Sequence, residues 1–172
     1  MRNRIAAAAT VSLLIGFWFL GGCAKPKMAI VSTAQWTQLE SGAYVVGGER
    51  LFYGIGKASG LRNATLLRAT ADNQARAEMA RVIESYLKLL SAAAGDLPEA
   101  DRTEIINALT ESILQRTRIS DHHYTDTESH LLSLCSLELS SLKQVIQNMG
   151  GMDDTLRKNM LTHADQVHAD FP

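Results

Sequence analysis

The chain has 172 residues, 17 basic and 18 acidic, a net charge of −1 and 46 % hydrophobic residues. That length suits one domain with a single core, and the near-neutral charge offers no basic field for nucleic acid. Three prolines and 12 glycines argue against a long disordered region, and two cysteines exclude a disulfide framework.

Arg2 and Arg4 form a short positive start, and Ile5 to Leu20 carries no charge. This pattern reads as the apolar core of an export signal. Leu20-Gly21-Gly22-Cys23 follows directly, and it resembles the lipobox of bacterial lipoproteins. The resemblance implies cleavage before Cys23, a diacylglycerol on its thiol and acylation of its new amino group. Each buried acyl methylene contributes roughly 0.8 kcal/mol, and two or three chains make a lasting anchor.

The competing reading is a membrane helix, since the uncharged run from Ile5 to Ala24 is 20 residues, about enough to span a bilayer. Gly16, Gly21 and Gly22 are poor helix formers, Ser12 interrupts the apolar run, and the cysteine stands at its end. The lipoprotein reading is therefore preferred. Ala24, in place of Asp, implies by the same resemblance sorting to the outer membrane of a double-membrane bacterium.

Residues 1–22 are thus expected to be the signal peptide and 23–48 a lipid-anchored tether, with 49–172 a single domain. Two of the 17 basic residues lie in the signal, leaving 15 against 18 acidic, a net charge near −3. With Cys23 lipidated, Cys135 has no intramolecular partner, and its place in LLSLCSLEL suits burial as a small apolar residue.

In the tether, Trp36 is the one large anchor and Gly42, Gly47 and Gly48 punctuate the chain. Leu51 to Ile55 predicts a strand and Gly56 to Gly60 a loop. A long helix is expected from about Arg62 to Leu90, capped by Asn63 or Thr65. Its stripe of Ala64, Leu67, Ala71, Ala75, Met79, Val82, Tyr86 and Leu90 is mostly alanine in its first half, which permits close approach to a sheet. Asp72–Arg76 and Glu84–Lys88 are spaced for ion pairs on a solvated face.

A second helix follows Pro98, with Ile106, Leu109 and Ile113 inward, ending near Gln115 to Arg118. Strands are predicted over Arg118 to Thr125 and His130 to Leu139, joined by Asp126-Thr127-Glu128-Ser129. Leu132 and Leu134 oppose Ser133, Cys135 and Leu137, so the second of these strands is expected to be covered on both sides. Ser141 with Gln144 suggests a capping box, and Asp153 opens a last helix with Leu156, Met160, Ala164 and Val167 inward. The fold class is α+β: about three strands, antiparallel in part, on a long Ala-rich helix, with further helices at the C-terminus.

GIGKASG at 54–60 sits where phosphate loops sit but matches neither phosphate-loop pattern, since position 58 is Ala and position 59 is Ser. His122 and His123 point to opposite faces of a strand, and the five-residue spacing of His163 and His168 is not a same-face one, so no metal site is assigned. No GxSxG elbow occurs, and no catalytic residue, cofactor or ligand site is assigned.

GERLFYGIGKASG followed by LLRATADNQARAEMARVIESY resembles the small outer-membrane lipoprotein family typified by the twenty-kilodalton surface lipoprotein antigen, which includes the flagellar basal-disk lipoprotein FlgP. The residues carrying the likeness are Tyr53, Gly54, Gly56, Ala71, Ala75, Arg76, Ala77 and Glu78. ISDHHYTDTESHLLSLCSLEL resembles that family's hairpin, apart from a loop without Pro or Gly, and LRKNMLTHADQVHADF a C-terminal helix of some members. The resemblance implies a structural, assembly or partner-binding role in the envelope, with a protein partner or self-association and no catalytic residues. A flagellum-associated ring component and a small-ligand or cell-wall binding module are the alternatives.

Overall fold

The computed structural model describes residues 35–125 and 130–171. The order is a 3₁₀ turn (Gln35–Gln38), β1 (Gly42–Val46), β2 (Glu49–Ser59), α1 (Ala64–Ala94), α2 (Glu99–Leu114), β3 (Arg118–Thr125), β4 (His130–Glu138), α3 (Leu139–Asn148) and α4 (Asp154–Asp170). The four strands form one antiparallel sheet ordered β1-β2-β4-β3, and α1 packs on it in an α+β fold. Among the described residues no helix is long and apolar enough to cross a membrane.

The sheet has four strands where about three were expected, and the extra one comes from the segment read as tether. β1 pairs with β2 from Gly42↔Tyr53 to Val46↔Glu49, and Trp36 is buried on the sheet. The folded unit therefore includes residues 35–48. Gly47 and Gly48, at φ 60° and 89°, make the two-residue turn whose positive φ values suit a tight hairpin.

The expected loop at 56–60 is also strand: β2 runs on to Ser59 and pairs with β4 as far as Ser59↔His130. Gly54 and Gly56 lie two apart, on the sheet face beneath α1. A Cβ on Gly56 would stand 2.1 Å from the Ala71 carbonyl oxygen and 2.3 Å from the Ala75 nitrogen. On Gly54 it would stand 2.4 Å from the Ala75 carbonyl oxygen. These glycines let helix and strand backbones meet, the second meaning of glycine in a strand.

α1 begins at Asn63, whose side chain accepts from the Leu66 N–H at 3.1 Å. Its Ala71 and Ala75 cover the glycines, and Met79, Ile83, Tyr86, Leu87 and Leu90 fill the wider part of the core. Phe52, Cys135 and Leu137 meet them from the sheet, and Ile106, Leu109 and Ile113 from α2. The Tyr86 hydroxyl donates to the Ala164 carbonyl at 2.8 Å, tying α1 to α4. Asp153 caps α4 through the Leu156 N–H at 3.0 Å, whereas α3 starts at Leu139 behind Glu138, without the expected serine cap.

The opposite sheet face carries a second cluster of Trp36, Tyr53, Leu132 and Leu134. β4 is accordingly covered on both sides, as its double alternation implied.

Candidate functional site

Cys23, the one residue assigned a chemical role from sequence, lies outside the described residues, as does the whole expected signal. The structure instead brings together a polar cluster that the sequence reading did not assemble. The spacing of Asp72 and Arg76 on α1 predicts an ion pair on a solvated face, but Asp72 is only partly exposed. It turns toward the sheet, where its Oδ1 accepts from the Ser133 hydroxyl of β4 at 2.6 Å and meets His122 Nε2 of β3, also at 2.6 Å.

Helix and strand periodicity produce this convergence. Asp72 follows the buried Ala71 by one position, so it emerges at the edge of the α1 contact, toward β3. His122 pairs with Ser133 across β3 and β4, and paired residues share a face. A register shift between Ile119 and Asp121 keeps Ile119 against the main core while directing Asp121 to the other side. There Asp121 accepts the indole N–H of Trp36 at 2.8 Å. Consecutive residues of β3 thus hold α1 on one face and the N-terminal strap on the other.

The cluster's protonation follows from its geometry. Arg68 Nη2 lies 3.2 Å from His122 Nδ1, and a guanidinium only donates, so Nδ1 accepts and Nε2 carries the proton given to Asp72. Burial tends to raise the Asp72 carboxyl, but the hydrogen bonds from Ser133 and His122, with the positive charge of Arg68, outweigh it and hold it below its ordinary value. Glu84–Lys88, the other expected pair, does form, at 2.6 Å.

This arrangement is not that of an activated nucleophile. In a catalytic triad the histidine stands between serine and acid. Here the serine and histidine share one carboxylate oxygen, and Ser133 is fully buried. Chemically the cluster is a clamp joining α1, β3 and β4.

The remaining histidines are separated. His123 is exposed on the face away from His122, His163 is exposed, and His130 is buried at the start of β4. His168 is buried with its ring edge on Phe52, at 4.9 Å between centroids. Its Nε2 donates to the Leu51 carbonyl at 3.1 Å, and its Nδ1 is buried without a hydrogen-bond partner. Burial pushes its pKa down, which keeps the ring neutral. Among the described residues no group of three or more His, Cys, Asp or Glu is placed to hold a metal ion. Cys135 is buried and unpaired, and burial raises its thiol.

Two open clefts lie away from the clamp. One, of about 460 Å³, is lined by Asp154, Arg157, Lys158 and Leu161. The other, of about 340 Å³, includes Arg50, Glu138, Lys143 and Asp165. Asp165 bonds to Lys143 and lies 3.2 Å from Arg50, so the cations of the second cleft already face an acid. Neither cleft has the mostly apolar lining of a small-molecule pocket.

No protein-family model matches the chain, and no curated protein matches it.

Proposed function

We propose that this chain is a lipid-anchored protein of the bacterial outer membrane that acts by binding partners, or copies of itself, in a structural or assembly role. The observation that carries the reading is Leu20-Gly21-Gly22-Cys23 behind a basic start and an uncharged run. The acyl chains on Cys23 hold the domain at the membrane, and residues between Cys23 and the sheet set its reach.

A binding role agrees with the chemistry on the page. The most elaborate polar cluster is a clamp with its serine buried, and the clefts present charges that are largely paired. We read the chain as a protein-binding module rather than an enzyme or a small-ligand carrier. Crosslinking in intact cells, followed by the native mass of the detergent-extracted protein, tests this. A discrete assembly or a stable second protein is expected; a monomer without crosslinked neighbours contradicts the reading.

A further inference from the structure

We propose that one end of the domain, formed by the β2–α1 connection, the first turn of α1 and the end of β3, rests on the lipid surface. Leu61, Leu66 and Tyr124 enter the headgroup region there. The inference rests on the lipid-anchor reading above and adds to it an orientation.

Strand register defines this end. Ser59 at the close of β2 pairs with His130 at the start of β4, which pairs with Thr125 at the close of β3. α1 starts five residues after Ser59, at Ala64. Among the described residues, four large apolar side chains stand exposed: Leu61 at 37 %, Leu66 at 53 %, Tyr124 at 51 % and Leu89 at 48 %. Three of them sit at this end, and Leu89 sits near the other end of α1. Single exposed apolar residues need no explanation, but a concentration at one end of a small domain marks a contact surface.

The neighbouring residues are of the types that interfaces favour. From Arg50 to Ala71 the chain has Arg50, Lys57, Arg62 and Arg68 and no acid, with the last three near this end. Tyrosine with basic residues is characteristic of the membrane–water boundary. The apolar side chains carry the contact, and the basic residues flank it.

The tether sets the distance. The described chain starts at Gln35, and Trp36 sits near the middle of the sheet, clustered with Leu132, Leu134 and Tyr53 and bonded to Asp121, which pairs with Leu134. The 12 residue steps from Cys23 to Gln35 span at most roughly 40 Å. That is enough to lay this end on the bilayer. Leu89, 23 residues along α1 from Leu66, is displaced from it by roughly 35 Å of helix. The far end, with the β1–β2 turn and the cleft at Arg50, Lys143 and Asp165, then faces away from the membrane toward partners.

The test uses lipidated mature protein carrying Leu66→Cys or Leu89→Cys, each labelled with an environment-sensitive nitrobenzoxadiazole dye; Cys135 is buried and Cys23 is acylated. The protein is placed on vesicles of phosphatidylethanolamine and phosphatidylglycerol. We expect flotation with the vesicles, a blue shift and quenching by spin-labelled lipid at position 66, and water-like emission at 89. Leu61→Cys should repeat the result for 66. Flotation with no shift at 66 and 61, or an equal shift at 89, overturns the orientation while leaving the anchor intact. Failure to float overturns the anchor, and the orientation with it.

Discussion

Gly56→Ala is the substitution for which the fold makes its sharpest demand. The added Cβ would lie 2.1 Å from the Ala71 carbonyl oxygen and 2.3 Å from the Ala75 nitrogen, both backbone atoms in the middle of α1. An ordinary contact starts near 3.4 Å, so helix and strand must separate locally by about 1.3 Å, the difference between 3.4 and 2.1. No rotamer change relieves this, and the movement loosens Phe52, Met79 and Ile83, which are all fully buried. Overpacking costs about 1–3 kcal/mol where side chains can yield, so a backbone clash belongs at or above about 3 kcal/mol. For a domain of this size that lowers Tm by on the order of 10 °C. Urea unfolding followed by circular dichroism should show a lower midpoint with an unchanged slope. Gly150→Ala is the control: nothing lies within 4 Å and its φ is not in the left-handed region, so its effect should stay within about 0.5 kcal/mol. A Gly56→Ala protein as stable as the Gly150→Ala control would refute the close helix–strand approach.

Trp36→Ala should cost about 3–5 kcal/mol, since the ring is buried at 3 % exposure against Tyr53, Leu132 and Leu134. Trp36→Phe, which loses chiefly the bond to Asp121, should cost about 1 kcal/mol, and chemical denaturation measures both. Asp72→Ala strands the buried Ser133 hydroxyl and should cost about 1–3 kcal/mol, with a double-mutant cycle to Ser133→Ala showing strong coupling. The Asp72 carboxyl is held below its unfolded value of 3.8, so its contribution is present above that pH and is lost as pH falls through the lower folded value; Asp72→Asn should flatten this acid limb. His168 has a folded pKa below its unfolded 6.5, so stability is full above 6.5 and declines as pH falls toward the folded value. His168→Gln should remove that decline in thermal melts between neutral and mildly acidic pH.

The parts of the fold legible in sequence were those set by local pattern. The Ala71, Ala75, Met79 stripe revealed α1 and its close approach, Asn63 and Asp153 marked two helix starts, and the double alternation of β4 showed that both its faces are covered. What was missed comes from glycines with more than one use and from partners distant in sequence. β1 is five residues long, and its Tyr44, Val45 and Val46 ahead of Gly47-Gly48 form a short hairpin signal that is hidden when the glycines are read as punctuation of a tether. Gly54 and Gly56 gave a turn signal because glycine serves turns and close backbone contacts alike, and the helix that distinguishes the two uses packs from elsewhere. Asp72 looked like an ordinary partner for Arg76 because its actual partners, His122 and Ser133, are 50 and 61 residues away. The position of Asp72 beside the buried Ala71 was the available signal, and it needed the neighbouring strand to be read.

The central claim is the anchor, and it is tested most directly by the intact mass of the protein extracted from membranes. The expected result is a chain starting at Cys23 with a mass excess of two or three acyl chains and glycerol on that residue, absent in Cys23→Ala. A chain retaining residues 1–22, or one starting at Cys23 with no added lipid, would contradict it.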